Sequence, residues 1–350
     1  MTPLAATLVR QIRATGPINV AEYMTACLLH PRHGYYTTRQ PLGGAGDFVT
    51  APEISQMFGE LVGLALAQAW LDRGRPDPVA LVEFGPGRGT LMADALRATR
   101  AVPGFHAALR LHLVEVPGPL RRVQAEALRA HDPVWLAGVT DLPPLPTLAI
   151  ANEFLDALPI RQFLRDGAGW RERLVAVRDD ALTFALSDRA PLGSLPARFA
   201  ETRDGDLVEI GAPATAFAEE LGAHLTRQGG AALLIDYGGD GPGDTLQAVR
   251  GHRKESPLDR PGAADLTAHV DFRAIADAAP CTVAGPVPQG VWLERLGIAA
   301  RARALARGLS GAALETHVAA HRRLTHPCEM GDLFRVLALH DGAGPPPGLA

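Results

Sequence analysis

The residues with the clearest chemical use lie in the stretch VEFGPGRGTL, residues 82–91. Gly85, Gly87 and Gly89 stand where an apolar run gives way to a helical pattern. Glycine at such a junction allows a positive φ and lets a ligand approach the backbone closely. The stretch therefore predicts a nucleotide-like ligand at the turn between a strand and a helix.

The spacing of this motif narrows the choice of ligand. It reads G-x-G-x-G and has Thr90 where the dinucleotide fingerprint requires its third glycine. Glu83 precedes the first glycine by two residues, and a carboxylate in a partly dry cleft attracts a cation and disfavours a pyrophosphate. S-adenosylmethionine (SAM) carries an ammonium and a sulfonium and no phosphate. The motif favours SAM over NAD, and a purely structural glycine turn is the alternative.

A second acid fits the same interpretation. Glu115 ends the next predicted strand, RLHLVEV, at the position of the acid that accepts hydrogen bonds from a ribose diol. It comes somewhat later than the usual spacing of about 20 residues, because the loop AVPGF lies between the helix and the strand. The residues we assign to cofactor binding are Glu83, Gly85, Pro86, Gly87, Gly89, Glu115 and Asp141.

Polar side chains also close a buried strand in TLAIANEFLDALPI, residues 147–160. Asn152, Glu153 and Asp156 follow the apolar run, and ligands of open α/β sheets bind beyond the carboxyl ends of the strands. Acids there could hold a cationic methyl acceptor and take up its proton. Alternatively, Asn152 caps a following helix whose first turn contains the two acids. The two interpretations are compatible.

Other residues could complete such a cleft. Asp236 and Tyr237 end the strand LLIDYG and could face the same cleft, or could serve as a helix cap and a rim aromatic. Asp47, Phe48 and Thr50 follow a glycine-rich loop and could form a lid over the ligands. The alternative for Thr50 is the N-cap of an ordinary helix. The sequence predicts no metal site.

Hydrophobic periodicity predicts the elements that must position these residues. The pattern alternates strand and helix, which indicates an α/β fold with a parallel sheet and helices on both faces. The predicted strands are VALVEF, RLHLVEV, TLAIANEF, AALLIDYGG and a closing strand GDLFRVLALH. Helices are predicted in residues 1–30 and over about 52–70. Residues 1–75 are expected to form an N-terminal helical lid region, and 76–350 the core.

Several segments interrupt the alternation. Residues of about 160–210 predict an inserted antiparallel β segment. The segment 239–265 predicts a long functional loop, because it is rich in glycine, proline and charge. C-terminal helices are predicted over residues of about 298–325, and the composition of the tail GAGPPPGLA predicts disorder.

The composition of the 350-residue chain excludes several classes of protein. A net charge of -4 without a long basic run argues against nucleic-acid binding. No apolar stretch approaches the roughly 18 residues of a membrane span, and no apolar signal core begins the chain. Lys254 is the only lysine, so no Walker A loop exists. Three separated cysteines form no disulfide framework. These features predict a cytoplasmic bacterial protein.

Together these segments resemble the MidA-type methyltransferases, whose mitochondrial member is the complex I assembly factor that methylates an arginine of a core complex I subunit. The resemblance covers nearly the whole chain. The motifs that carry it are GDFVTAPEISQMFGEL at 46–61, VEFGPGRGTL, VEVPGPLRRVQ at 114–124, ANEFLDALPIRQF at 151–163, LLIDYG at 233–238, DLTAHVDF at 265–272 and LTHPCEMGDLF at 324–334.

The resemblance implies a Rossmann-like class I methyltransferase fold with added N-terminal and inserted segments, SAM as cofactor, and a protein arginine, in a complex I subunit where one is present, as acceptor. An arginine acceptor needs an acid to hold its fork of N–H donors. We assign Glu153 as this clamp, Asn152 as an orienting group and Asp156 as a secondary acid. Two other hypotheses stay open: a methyltransferase of small molecules, and a SAM-binding assembly factor without catalysis. Thr90 and Glu83 disfavour an NAD-dependent dehydrogenase.

Overall fold

The computed structural model describes residues 1–38, 49–116, 118–190, 195, 199–239, 241 and 243–349. Its strands are β1 Ile18–Asn19, β2 Val79–Phe84, β3 Leu109–Val114, β4 Val134–Leu136, β5 Thr147–Asn152, β6 Arg161–Asp166, β7 Gly169–Arg178, β8 Ala181–Leu186, β9 Leu207–Ile210, β10 Gly230–Gly239, β11 Gln247–Arg250, β12 Arg253–Glu255, β13 Asp265–Thr267, β14 Val270–Asp271, β15 Thr282–Pro288 and β16 Phe334–His340.

The α-helices are α1 Pro3–Thr15, α2 Val20–Leu29, α3 Tyr35–Thr38, α4 Ala51–Ile54, α5 Gln56–Asp72, α6 Thr90–Ala98, α7 Phe105–Ala108, α8 Pro119–Ala127, α9 Ala212–Gln228, α10 Phe272–Ala278, α11 Gln289–Arg295, α12 Ile298–Ala306 and α13 Gly311–Thr325. Short 3₁₀ turns cover Thr99–Ala101 and Val139–Asp141, and a π-helical turn covers Pro327–Gly331. Within the described ranges, no helix is both long and apolar enough to cross a bilayer.

A central sheet carries the strands that the apolar runs predict. Its order is β4-β3-β2-β5-β10-β16-β15. The strands β4, β3, β2, β5 and β10 run parallel, and β16 runs antiparallel between β10 and β15. This order confirms the Rossmann-like parallel sheet with a closing antiparallel strand. It also places β5 beside β2, so the two polar stretches of the sequence meet at one edge of the sheet.

Helices cover both faces of this sheet, which explains why its inner strands are continuously apolar. All residues of β2 and β5 are buried. One face packs against α5, α6, α11 and α12, and the other against α9 and α10. A sheet buried on both faces has its free backbone positions at the strand ends, where a ligand can be bound.

The N-terminal helices pack on a separate core. Asn19 and Glu22 form a reciprocal capping box that begins α2. Residues of α1 and α2 then pack against side chains from β7, β11 and β13. The predicted helices in residues 1–30 are confirmed, with the two-residue strand β1 between them.

The prediction of an inserted β segment is confirmed, and the prediction of a long loop is wrong. β6, β7 and β8 form antiparallel pairs, and β9 pairs with β6. The segment 239–265 contains β11 and β12, which form a small antiparallel sheet with β13. These strands are polar and largely half-exposed, so they lack the apolar alternation that sequence patterns detect.

The C-terminal tail and one helix also differ from the prediction. The tail is ordered: Trp292 Nε1 donates to Pro347 O at 3.0 Å, Arg295 Nη1 donates to Gly348 O at 2.9 Å, and Leu349 is buried. These contacts join segments distant in sequence, which composition cannot detect. The helix predicted over 52–70 is divided into α4 and α5, whereas the C-terminal helices predicted over about 298–325 are present as α12 and α13.

We predict that Gly63→Ala destabilises the protein, although alanine favours helix by about 1 kcal/mol. Gly63 lies within α5, where an added Cβ would come 2.6 Å from Ala95 Cα of α6. Overpacking of this kind costs roughly 1–3 kcal/mol in free energy of unfolding. Urea unfolding measures the change, with the exposed neighbour Leu64→Ala as control. A Gly63→Ala protein more stable than wild type would contradict the close packing of these helices.

Candidate active site

A cavity of about 310 Å³ lies at the carboxyl edge of the central sheet, beyond the ends of β2, β3 and β5. The residues predicted from the sequence that line it are Thr50, Glu83, Gly85, Pro86, Gly87, Glu115, Asn152 and Glu153. The predicted residues Gly89, Asp141, Asp156, Asp236 and Tyr237 do not line it. Asp47 and Phe48 lie outside the described residues. The predicted cofactor and acceptor residues therefore share one cavity.

The glycine turn adopts the conformation that its sequence requires. Gly85, Gly87 and Gly89 have φ values of 64°, 53° and 81°. A Cβ on Gly85 would come 2.9 Å from the ring of Phe154, so glycine is also needed there for space. Gly89 is the N-cap of α6 and faces α8 rather than the cavity. Of the three glycines, therefore, Gly85 and Gly87 line the cavity and Gly89 does not.

The cofactor side of the cavity contains unsatisfied acceptors. Glu83 is 3% exposed, and its Oε2 has no hydrogen-bond partner among the described residues. Burial, followed by the charge of Glu115, raises the pKa of Glu83 to about 8. The buried Oδ1 of Asn152 likewise has no partner in the described part of the chain. Buried polar atoms are normally paired, so these two fit a ligand that brings positive charge and N–H donors.

Gln124 holds the second acid, and sequence reasoning missed it. This fully buried side chain donates from Nε2 to Glu115 Oε2 at 3.0 Å and to Gly87 O at 2.8 Å. Its Oε1 accepts from Trp135 Nε1 at 2.8 Å. Gln124 therefore connects the glycine turn to the acid placed for the ribose. The only signal in the sequence is a glutamine on a helix, which has no distinguishing spacing.

Asp141 is exposed and acts indirectly. Its Oδ2 accepts from Ala137 N at 3.0 Å, and Ala137 lines the cavity. Asp141 therefore supports the short turn that follows β4 and does not itself line the cavity.

The acceptor side is formed by a turn after β5, and the alternative in which Asn152 caps a following helix is wrong. Residues 153–160 contain no helix, and Glu153 has a φ of 49°. Its backbone N donates to Ile235 O at 2.9 Å. The carboxylate Oε1 accepts from Ala51 N at 2.8 Å and from Asn152 Nδ2 at 3.3 Å. Glu153 thus caps α4, a helix about 100 residues away in sequence, rather than a helix of its own.

Two further acids lie behind this turn. Asp236 is fully buried, and its Oδ2 accepts from the backbone N of Phe154, Leu155 and Asp156 at 3.0–3.2 Å. Tyr237 donates its hydroxyl to Asp156. Asp236 and Tyr237 were predicted to face the cleft, and instead they support the turn that carries Glu153.

The pKa values of the three acids in this region are all raised, with burial as the largest cause. Burial raises the pKa of Glu153 to about 7 and that of Asp156 to about 6. Burial and then the charges of Asp156 and Glu153 raise the pKa of Asp236 well above its ordinary value. Within the described residues, none of the three forms a salt bridge. The region therefore favours binding of a cation.

Glu53 joins the helical segment to the glycine turn and was also missed. It lines the cavity from α4, accepts from Thr90 Oγ1 at 2.5 Å and lies 3.6 Å from Arg88 Nη1. Thr50 precedes α4 and lines the cavity without making a side-chain cap bond. Thr50 is thus at the N-cap position of α4, as in the alternative interpretation, and the lid role of the segment stays a prediction. Its glycine-rich start, with Asp47 and Phe48, is outside the described residues.

The strand order and this cavity define the protein as a SAM-dependent methyltransferase with a class I fold. A family model described as "Putative S-adenosyl-L-methionine-dependent methyltransferase" matches residues 61–287. The chain therefore belongs to this family, the MidA/NDUFAF7-type methyltransferases, which confirms the resemblance found in its motifs.

Relatives and a solved structure agree with this membership. The chain is 38% identical over 370 residues to the mitochondrial protein arginine methyltransferase NDUFAF7 of Bos taurus, covering 97% of this chain and 83% of that protein. It is 36% identical to the Drosophila melanogaster homologue, covering 97% and 85%. A Burkholderia thailandensis protein bound to S-adenosyl-homocysteine superposes with a TM-score of 0.85 at 32% identity, covering 99% and 94%.

We predict that SAM binding weakens as the pH falls. The cationic cofactor favours the ionised form of Glu83, whose pKa in the free protein is about 8. Affinity should therefore drop by about tenfold per unit between about pH 7.5 and about pH 6, where the cofactor's own ammonium stays protonated. Calorimetry measures the dissociation constant. Glu83→Gln should bind more weakly at the higher pH and show little pH dependence, and an equally steep profile in this variant would contradict the assignment.

Proposed function

We propose that the protein transfers a methyl group from SAM to the guanidinium of an arginine in an acceptor protein. The observation that carries the proposal is a group of three acids at the carboxyl ends of β5 and β10. Asp156 and Asp236 are buried and Glu153 is half-buried, and none of them forms a salt bridge among the described residues. Of these, Glu153 lines the cofactor cavity.

A guanidinium matches the unsatisfied groups of this site. Ionised carboxylates are costly to bury unless a cation with hydrogen-bond donors accompanies them. Arginine presents planar N–H donors that can bind a carboxylate through two bonds. Glu153 Oε1 already accepts from Ala51 and Asn152, which orients the carboxylate toward the cavity. The unpaired Asn152 Oδ1 can accept another guanidinium N–H.

Each residue then has a definite task. SAM supplies an electrophilic methyl group on a sulfonium, and Glu83, Glu115 and the glycine turn would hold it. Glu153 binds the guanidinium and restricts its rotation, so that one nitrogen faces the methyl group. Because methylation releases one N–H proton, Glu153, with its raised pKa, can accept it.

Supporting residues keep this geometry and exclude water. Asp236 fixes the turn by three backbone hydrogen bonds, and Tyr237 holds Asp156 behind it. Residues of α2 cover the cavity from the opposite side, among them Thr25, Leu28 and Leu29. Exclusion of water strengthens the attraction between the carboxylate and the guanidinium.

The relatives support the choice of acceptor. The vertebrate and insect proteins that align over nearly all of this chain carry the name protein arginine methyltransferase. The resemblance adds a complex I subunit as the expected acceptor. A small-molecule methyltransferase would use the same cofactor residues and would show no protein labelling.

We predict that Glu153→Gln retains SAM binding and loses methyl transfer by at least about 100-fold, since a neutral amide loses both the charge and the proton acceptor. Lysate from cells lacking the gene serves as acceptor with radiolabelled SAM, and mass spectrometry locates the methylated residue. Glu126→Gln, at an exposed position, is the matched control. Wild-type turnover in Glu153→Gln would exclude the clamp, and absence of arginine methylation by the wild type would exclude the acceptor.

The rate at saturating SAM should fall as the pH drops through about 7. Glu153 must be ionised to hold the guanidinium, and its raised pKa means that protonation begins near neutrality. At saturating SAM, the pH dependence of cofactor binding through Glu83 no longer affects the rate. A rate that stays constant down to the ordinary range of glutamate, near about pH 4.5, would contradict the role of this residue.

A further inference from the structure

An open groove of about 550 Å³ runs along the outer side of α2 and is not used by the reaction described above. Its walls come from α2, from the turn after β5 and from the start of α9. It shares Thr25, Leu29 and Pro159 with the walls of the active-site cavity. The groove and the cavity therefore meet along these residues.

One of the shared residues, Pro159, lies on the acceptor side of the cavity. Pro159 belongs to the turn that begins at Glu153. Glu115 and Val116, which lie on the cofactor side, take no part in the groove. A chain lying in the groove would thus approach Glu153 without crossing the cofactor site.

The walls suit a peptide rather than a polar small molecule. They are largely small or apolar and include Ala21, Ala26, Leu29 and Pro213. Leu29 is 40% exposed, which is unusual for a leucine beside a deep cavity. Such walls can pack against backbone and apolar side chains without requiring one particular sequence.

The groove is rigid and its charge is complementary to a basic segment. The capping box of Asn19 and Glu22 fixes the start of α2, and the opposite face of the helix packs through Tyr23, Met24 and Cys27. A site fixed before binding loses less conformational entropy on binding. Glu22 is exposed at the groove, and the cavity beyond it contains several acids. An arginine-bearing chain is attracted along this path.

We propose that this groove binds an extended segment of the acceptor protein that flanks the methylated arginine. The inference rests on the proposed function and extends it. The arginine side chain enters the cavity past Thr25 and Pro159, while its neighbours lie between α2 and Pro213. The enzyme then recognises a segment of chain around the arginine. This recognition would let it discriminate a protein acceptor from free arginine.

The test is Ala21→Arg, which places a bulky cation in the groove wall without altering a residue of the cavity. Pro213→Arg tests the opposite wall, and Ala319→Arg, on the exposed side of α13, is the matched control. Each variant is assayed with radiolabelled SAM and lysate from cells lacking the gene. Calorimetry with SAM and thermal unfolding show that the cofactor site and the fold remain intact.

Both groove variants should label protein arginine at least tenfold more slowly than wild type, with unchanged SAM affinity, and the control should match wild type. Wild-type labelling rates in both groove variants would overturn the groove while leaving the proposed function intact. Undiminished labelling with an altered oligomeric state would assign the groove to a second copy of the chain and also overturn it. No arginine labelling by wild type would instead remove the proposed function on which the groove depends.

Discussion

The buried carboxylate of Asp236 determines the geometry on which the acceptor side depends. A strand that ends without a following helix leaves its next backbone N–H groups without partners, and buried N–H groups must be paired. Asp236, on the neighbouring strand β10, accepts three of them, from residues 154–156. The turn is thereby closed directly behind Glu153, whose φ of 49° is otherwise unfavourable for a glutamate.

The cofactor side and the acceptor side of the cavity share one electrostatic feature. On the cofactor side, Glu83 is buried with an oxygen that has no partner among the described residues. On the acceptor side, Glu153 is half-buried and Asp156 is buried, and neither forms a salt bridge in the described part of the chain. In each half, removing carboxylates from water costs free energy, and a bound cation would offset that cost. Such a cavity suits a sulfonium cofactor and, under the proposed function, a cationic acceptor beside it. Neutral Gln124 and Asn152 set the direction of the acids without cancelling their charge.

Much of the fold and of the cofactor site was predictable because it depends on local sequence. The central strands are continuous apolar runs, and the glycine turn must have positive φ wherever it occurs in such a fold. Prediction failed where long-range contacts decide the structure. The polar strands β11 and β12 are held by pairing, and the tail by Trp292 and Arg295. Gln124 and Glu53 gave no signal because each side chain bonds a residue of the glycine turn region that is 37 residues away.

For the acids after TLAIAN, the sequence by itself determined that polar groups close a buried strand. Only the tertiary structure placed that strand beside the glycine turn and excluded a local helix capped by Asn152. Glu153 caps α4 through space and not a helix of its own, because Asp236 takes the backbone N–H groups that a local helix would have left free. The roles of the three acids follow from which strand lies next to which, and strand order is a property of the assembled sheet rather than of any one segment.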